Sequence, residues 1–463
     1  MAAPAVIMLL YPVAVRVLPV GRRTEWFLGG DHVRHLIMAA EIQDAGWLTY
    51  GVTSYPRAWH TLLAAVWSAC GLRPETDIVA VVDVSAVLVW LLSAGLTLTT
   101  AALAATLADR LGCSERVPVV AGFVAGTLTL WPLFLGNYQG LGLQTSLLAA
   151  GVVAAVLRTQ LVDPTSIRAL VVSAAGVVVI SHTWQLVLPI VGLAALGSAV
   201  GLVRRRGTVG LWVVGSLGIL SLAVSASSLI AVVTAVGVQH ATDADVVAPV
   251  PWVVLLVGVV ASVALLRWAG GVAGWAVGLM AVPAVTGLIL AAYVGITPDT
   301  YYASKLLWHS SALFLAPISV VVALGMSRLR RVAMPRAVRN LAAGPVALGL
   351  AYSFALPAAA YVGVWSTVDG ALVLRLLSTP GAPDAQVVWS EGPVVTDTVS
   401  RLLLDALRPE PGPLSTPQQP LTVEEECALL QAASDPVVLT DQPPEEVRRR
   451  FGCAPGVRVL RAE

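Results

Sequence analysis

The chain is dominated by uninterrupted apolar runs of about 20 residues, the length that an α-helix needs to cross the hydrocarbon core of a bilayer. Only 12% of its 463 residues are charged, against about 25% in an average soluble domain. So few charges cannot cover the surface of a soluble fold of this size. The sequence therefore predicts an all-α polytopic membrane protein. It excludes a disordered chain, and four cysteines are too few for a disulfide-built scaffold.

We predict eleven transmembrane helices from these runs. The fifth and sixth are short and are separated only by His182 and Thr183, so this pair could instead be a broken or re-entrant hairpin. The first begins at Met1 without a preceding basic segment, which is not the pattern of a cleaved signal peptide. The predicted spans are 2–20, 79–108, 117–135, 141–158, 167–182, 184–203, 209–237, 251–268, 271–295, 306–325 and 341–363.

Arginine is concentrated in alternate loops, which orients the helices by the positive-inside rule. Of the 28 basic residues, 27 are arginine and one, Lys305, is lysine. The arginine-rich loops should face the cytoplasm, so the long first loop (21–78) and the tail after 363 should lie outside the plasma membrane. All six histidines then fall on or near the outer face. The arginines in question are Arg110, Arg116, Arg158, Arg168, Arg204, Arg205, Arg206, Arg267, Arg328, Arg330, Arg331, Arg336 and Arg339.

The composition changes after the last predicted span. We divide the chain into a transmembrane domain (1–363), a linker (364–379) and a small extracytoplasmic α/β module (380–463). Within the module, cysteines 427 and 453 could form a disulfide outside the membrane, although sequence alone does not give their separation. The module's predicted strands are 387–389, 437–439 and 457–460, and its predicted helices are 394–407, 421–433 and 444–451.

The first outer loop carries the most informative pattern. Two glycines precede Asp31, and 33–45 is amphipathic, as expected of a helix that lies in the membrane interface. Tyr55 and Pro56 then precede a second shallow stretch, 58–71, which contains His60 and two tryptophans.

A Gly-Asp with a nearby histidine, an interfacial helix and a Tyr-Pro-x-x-x-His motif together resemble the first outer loop of the GT-C glycosyltransferases. That resemblance implies a multi-spanning enzyme that takes its sugar from a polyprenyl-phosphate donor. The long first outer loop and the polar outer C-terminal module match the same plan. Many members of that superfamily carry a paired acid, whereas here His32 follows Asp31, and this departure weakens the transfer of mechanism.

Sugar transfer from a lipid phosphate needs a base for the acceptor hydroxyl and cations for the departing phosphate. Asp31 is our candidate general base. Its alternative role is an N-cap for 32–45, since aspartate after two glycines caps a helix well. The candidate cations for the donor phosphate are Arg34, His35, Arg57 and Lys305.

A divalent cation is a further possibility in this loop. Asp31, His32 and His35 have a spacing that could ligate one, because two histidines and a carboxylate can suffice. Interfacial histidines more often serve as hydrogen-bonding groups. A divalent cation therefore remains a possible ligand of this loop, and we assign no other cofactor.

A second cluster lies at the outer entrance of a late span. Tyr301, Lys305, Trp308 and His309 are spaced by four, three and one residues and are predicted to share a helical face. With Tyr302, they could hold the donor's phosphate and lipid and stack on its sugar. Tyr-Tyr-x-x-Lys also resembles some actinobacterial cell-wall arabinosyltransferases of this class. The alternative is an aromatic belt with a lysine that extends to the headgroups.

Other outer-face residues are candidates for lining the cavity or contacting the acceptor. His182 could instead make ordinary helix-end hydrogen bonds, and Gln144 could contact the acceptor. Asp83 is a candidate because it is an acid within a predicted span, although it could also make an interfacial hydrogen bond. The acceptor and cavity candidates are His32, His60, Tyr55, His182, Asn137 and Tyr138.

These patterns favour an enzyme that moves an arabinofuranosyl or mannosyl sugar from a polyprenyl-phosphate donor to an envelope glycan or lipid. Its other partners would be membrane lipids, and the net charge of +1 argues against nucleic acid. A transporter or lipid flippase is the first alternative, although transporters usually place polar residues near the midplane and show internal repeats. A non-catalytic envelope-assembly scaffold is the second, kept open by the single acid at Asp31.

Overall fold

The computed structural model describes residues 2–20, 24–28, 32–46, 57–130, 144–235, 250–294, 301–329, 369–391, 394–406 and 421–462. Before the C-terminal region these residues are helical. The helices are α1 (Ala3–Ala14), α2 (His32–Ala45), α3 (Ala58–Ala69), α4 (Pro74–Arg110), α5 (Arg116–Thr129), α6 (Gln144–Val162), α7 (Ile167–Ser181), α8 (Leu188–Ala235), α9 (Trp252–Leu266), α10 (Gly271–Val294) and α11 (Tyr301–Leu329).

The prediction of a mostly helical membrane protein agrees with this architecture, but the count of eleven spans does not. In the part of the chain that the structure describes, five helices are long and apolar enough to cross a membrane, namely Pro74–Arg110, Gln144–Val162, Gln185–Ile230, Gly271–Ala292 and Tyr302–Arg328. Four further apolar helices have 10–17 residues. At 1.5 Å per residue, such helices fall short of a core about 30 Å thick. The predicted span 341–363 lies outside the described residues.

The longest helix, α8, is two antiparallel halves that meet at Gly207. Gly207 has φ 55° and ψ −129°, which are not helical angles. Before this reversal, the Arg205 guanidinium lies 3.6 Å from the Asp163 carboxylate. After it, Ser225 and Ser228 bond to Ser181 at the far end of α7. The first half of α8 therefore runs from the end of α7 to its start, and the second half runs back to its end. This agrees with the separately predicted segments 184–203 and 209–237.

Replacing Gly207 by alanine is expected to destabilise the protein. The backbone at this reversal lies in a region open almost only to glycine, and forcing another residue into it costs about 1–3 kcal/mol. Gly215, inside the second half of α8, is the matched control, since a Cβ there meets open space and φ is not positive. Thermal unfolding of the purified protein should show a lower Tm for Gly207→Ala and no loss for Gly215→Ala. Equal Tm values for the two variants would contradict the reversal.

The ends of the helices fall into two groups at opposite ends of the bundle, which we call the arginine end and the histidine end. At the arginine end, Arg110 bonds to the Val162 carbonyl, and Arg328 lies 5.9 Å from the Trp268 ring centre. At the histidine end, α2, α3, the end of α7 and the start of α11 come together. The segregation matches the loop alternation predicted from the arginines.

The two first-loop helices, α2 and α3, pack against α4 at the histidine end. Trp59 and Trp67 in α3 are fully buried, and the Trp67 indole N–H donates to Ser85 Oγ of α4 at 3.0 Å. These tryptophans share a core cluster with apolar residues of α2 and α4. Large buried aromatic side chains thus fix the loop helices against the bundle.

The C-terminal region forms the predicted small α/β module. It begins with α12 (Gly370–Leu377), a helix within the segment predicted as a linker. Three parallel strands in the order β1-β2-β3 follow, with Val388 paired to Leu439 and Val438 to Val459. The elements are β1 (Val387–Trp389), α13 (Val394–Ala406), α14 (Val423–Ala432), β2 (Val437–Thr440), α15 (Pro444–Arg450) and β3 (Arg458–Arg461).

A disulfide closes the module and a helix connects it to the first loop. Cys427 of α14 is bonded to Cys453, with Cα atoms 6.0 Å apart. Leu403 and Leu404 of α13 lie in the same core cluster as Leu36 of α2. The module therefore packs directly on the amphipathic first-loop helix at the histidine end.

Asp397 of α13 makes the module sensitive to pH. Burial raises the pKa of this carboxyl from 3.8 to about 6, and the charges of Glu426 and Asp441 act in the same direction, against hydrogen bonds from Ser390. Because the folded state holds the proton more tightly than the unfolded chain does, the free energy of unfolding should fall as the pH rises from about 4 to about 6.

Asp397→Asn should reduce this pH dependence, since asparagine keeps an acceptor for the Ser390 hydroxyl but does not ionise. Glu424→Gln, at an exposed site in α14, is the control and should leave it unchanged. Hydrogen exchange of the β1 amides, corrected for the intrinsic pH dependence of exchange, gives the local stability. An unchanged pH profile in Asp397→Asn would show that another group is responsible.

Candidate functional site

Arg57 is a buried cation at the start of α3. Its side chain is 0% exposed, and its Nη1 donates to Glu41 Oε2 of α2 at 3.0 Å and to the Met38 carbonyl at 3.4 Å. The next residue, Ala58, donates its backbone N–H to the His182 carbonyl at 2.8 Å. Burying a guanidinium is costly unless it is paired and hydrogen-bonded. The fold therefore fixes this charge between α2 and the end of α7.

Three histidines of the first loop, His32, His35 and His60, are also buried. His35 Nδ1 and His60 Nε2 are 2.7 Å apart. Because one of these nitrogens must accept the hydrogen bond, the two rings cannot both carry their full set of protons. His32 Nδ1 contacts the Gln144 side-chain amide, and its ring lies against those of Phe27 and Trp26.

Lys305 is the second buried cation of this end. It lies in the second turn of α11, is 1% exposed, and places its Nζ 4.9 Å from the Trp184 ring centre. His309 Nδ1 lies 2.7 Å from the Lys305 carbonyl, and the Trp184 ring is 5.9 Å from that of His309 and 5.8 Å from that of Tyr302. A lysine buried over an indole does not fit the alternative of a side chain that extends to the headgroups.

Trp308 is also a buried residue of α11. It is 1% exposed and packs in the core cluster of the first-loop helices, whereas His309 faces Trp184. Consecutive helical residues are about 100° apart, so Trp308 and His309 point to different neighbours. Trp308 thus helps to hold the first loop on α11.

The two cations are connected through one short segment. The His182 carbonyl holds Ala58, which directly follows Arg57, and Trp184, two residues after His182, lies under Lys305. The turn 182–184 between α7 and α8 therefore brings the first loop and the start of α11 to the same place.

Other predicted residues have different placements. Arg34 is exposed on α2. His182 Nε2 lies 3.0 Å from the Val224 carbonyl, which agrees with the helix-end alternative for its side chain. Asp31, Tyr55, Asn137, Tyr138 and the side chain of Tyr301 lie outside the described residues.

Of the three predicted metal ligands, the structure describes His32 and His35 but not Asp31. His32 contacts Gln144 and His35 contacts His60, so each imidazole has its own partner. In the described ranges, no group of three histidine, cysteine, aspartate or glutamate side chains could hold a metal ion. The predicted set includes Asp31 and is therefore not tested.

The sequence patterns did not single out Glu41 as a functional residue, and they indicated Trp184 only as a neighbour of His182 in a turn that could line the cavity. Glu41 is separated from Arg57 by 16 positions, and their pairing depends on how α2 and α3 pack. The available signal for Glu41 was an acidic residue within the amphipathic first-loop helix. Trp184 stood beside a candidate histidine, but sequence spacing could not place it under Lys305.

A cleft of about 630 Å³ opens between the start of α4 and the end of α12. Its lining contains the carboxylates of Glu75, Asp77 and Asp83 and the hydroxyls of Ser378 and Thr379. Asp83 also pairs with Arg16. This lining offers many hydrogen-bond acceptors for polar, uncharged groups.

No protein-family model matches the chain, and no curated protein matches it.

Proposed function

We propose that the protein is an integral membrane glycosyltransferase that takes its sugar from a polyprenyl-phosphate donor. The observation that carries the proposal is the pair of fully buried cations, Arg57 and Lys305, at one end of an apolar helical bundle. Such a bundle accommodates a lipid tail, and buried cations at its end favour an anionic headgroup. A lipid phosphate combines both properties.

The chemistry needs few groups. An acceptor hydroxyl oxygen bonds to the anomeric carbon of the sugar while the bond from that carbon to the phosphate oxygen breaks. The hydroxyl proton passes to a base, for which Asp31 is the candidate, and the electron pair stays on the departing lipid phosphate. Arg57 and Lys305 would stabilise the charge that develops there. Glu41 is a positioning residue that holds the Arg57 guanidinium.

The acceptor would enter through the cleft between α4 and α12. Its carboxylates and hydroxyls suit the many hydroxyl groups of an envelope glycan or glycolipid. Val20 lines the cleft, and Thr24, which precedes the 3₁₀ turn Glu25–Leu28, donates to the Val20 carbonyl. The Phe27 ring of that turn lies 4.6 Å from the His32 ring, which connects the cleft with the first-loop histidines.

The proposal places the histidine end and the C-terminal module outside the plasma membrane. The arginines at the opposite end support this orientation by the positive-inside rule. The disulfide between Cys427 and Cys453 also suits an oxidising compartment. The sugar would be of arabinofuranosyl or mannosyl type.

Transfer by the full chain in proteoliposomes tests the proposal. Vesicles would contain a polyprenyl phosphate with a labelled sugar, and an envelope glycan fraction would be supplied as acceptor. We expect labelled glycan to accumulate and the donor to stay in its original leaflet. Movement of the donor to the other leaflet without labelled product would instead indicate a flippase, and neither activity with any such donor would indicate a scaffold.

A further inference from the structure

Two buried polar atoms beside Lys305 have no hydrogen-bond partner in the part of the chain that the structure describes. They are the indole nitrogen of Trp184 and Nε2 of His309. Trp184 is 7% exposed and His309 is 2% exposed. Leaving a buried donor or acceptor unsatisfied is unfavourable, and most such groups in proteins have a partner.

The two atoms have opposite hydrogen-bonding character. The Trp184 indole nitrogen can only donate. His309 Nδ1 lies 2.7 Å from the Lys305 carbonyl, which can only accept, so Nδ1 carries a hydrogen and Nε2 of the neutral ring offers a lone pair. The pair therefore presents one donor and one acceptor.

One hydroxyl group would satisfy both atoms. A hydroxyl oxygen accepts from one neighbour while its hydrogen is donated to another. The Trp184 and His309 rings contact each other edge to face, with centres 5.9 Å apart, so a shared hydroxyl oxygen would lie at the rim of the ring pair. The Lys305 ammonium over the same indole adds a positive charge next to this position.

We propose that Trp184, His309 and Lys305 form a recognition site for a sugar hydroxyl close to an anionic phosphate. The ligand class is a glycosyl phosphodiester of a lipid, so this inference rests on the proposed function and deepens it. Lys305 binds the phosphate, whereas Trp184 and His309 distinguish a donor that carries its sugar from a lipid phosphate without one.

Binding of two kinds of lipid probe to the purified full chain tests this site. Mannosyl farnesyl phosphate and arabinofuranosyl farnesyl phosphate are the glycosyl probes, and methyl farnesyl phosphate is a diester of the same charge without sugar hydroxyls. Wild type should bind a glycosyl probe more tightly than the methyl probe. Trp184→Phe and His309→Leu should each weaken binding of the glycosyl probe by about 5- to 10-fold, as loss of one hydrogen bond does, and leave the methyl probe unchanged.

Two further variants separate this role from a structural one. His309→Gln, which restores an acceptor oxygen, should recover part of the preference for the sugar. Trp268→Phe alters an indole that also lies beside a cation, Arg328, but at the arginine end, and it should change neither affinity.

Equal weakening of both kinds of probe by Trp184→Phe and His309→Leu, or no weakening, would overturn the hydroxyl site and leave the proposed function in place. In that case water or another part of the chain satisfies these atoms. Wild type that binds neither the glycosyl nor the methyl probe would overturn the proposed function, and this inference with it.

Discussion

Lys305→Met is expected to lower sugar transfer by about 100- to 1,000-fold, the usual cost of removing one charge-stabilising group from an active site. Methionine keeps a long unbranched side chain, so it can fill the space of the lysine stem. Replacing a buried charge by an apolar group of similar volume is often neutral or stabilising. The loss should therefore appear in transfer and donor binding without a fall in Tm.

Arg328→Met is the matched control for Lys305→Met. Arg328 also lies over an indole ring, that of Trp268, but at the arginine end. The Arg328→Met variant should transfer sugar at the wild-type rate. Full activity in Lys305→Met, with donor binding unchanged, would remove Lys305 from the site and leave Arg57 as the only described cation that supports the proposal.

Asp31→Asn is expected to reduce transfer by about 100- to 10,000-fold, the range of a general base. The substitution also separates the two roles predicted for this residue. Asparagine caps a helix about as well as aspartate does, but it cannot take a proton. A loss of transfer with an unchanged Tm would support the base, whereas full activity in the asparagine variant would leave only the cap.

Asp44→Asn gives the control for this position. Asp44 is an exposed carboxylate on α2, the helix that begins at His32, so the variant changes charge in the same loop helix. Transfer should remain at the wild-type rate. If both aspartate variants lose activity equally, the effect comes from the net charge of the loop rather than from a base at position 31.

Local sequence patterns predicted the C-terminal module well. Short valine-rich runs flanked by turns have few alternatives to a buried strand, and the observed strands Val387–Trp389 and Val437–Thr440 agree with them. The block of arginines before Gly207 also predicted the turn within α8, since three charges interrupt the apolar run there.

The number of spans was less predictable because the bounds of an apolar helix do not show whether it crosses the membrane. The predicted segment 167–182 agrees closely with α7, but α7 has only 15 residues, which is too short for a core about 30 Å thick. Its C-cap is His182, and the turn that follows holds Trp184. These residues serve the candidate site instead of extending the helix.

Sequence patterns named the two cations of the candidate site but not the residues that contact them. Lys305 stood out as the only lysine in the sequence, and Arg57 as a cation next to a tryptophan and a histidine. The pairing of Arg57 with Glu41, and of Lys305 with Trp184, joins segments that are far apart in the chain. Only the packing of the helices determines such contacts.

The most direct test of the account is an electron cryomicroscopy structure of the full chain with bound mannosyl farnesyl phosphate. We expect the phosphate at the histidine end, with one of its oxygens within about 4 Å of Lys305 Nζ, the usual limit of an ion pair. We also expect the farnesyl chain to lie among the apolar helices. A phosphate at the arginine end, or lipid only on the outer surface of the bundle, would contradict the central claim.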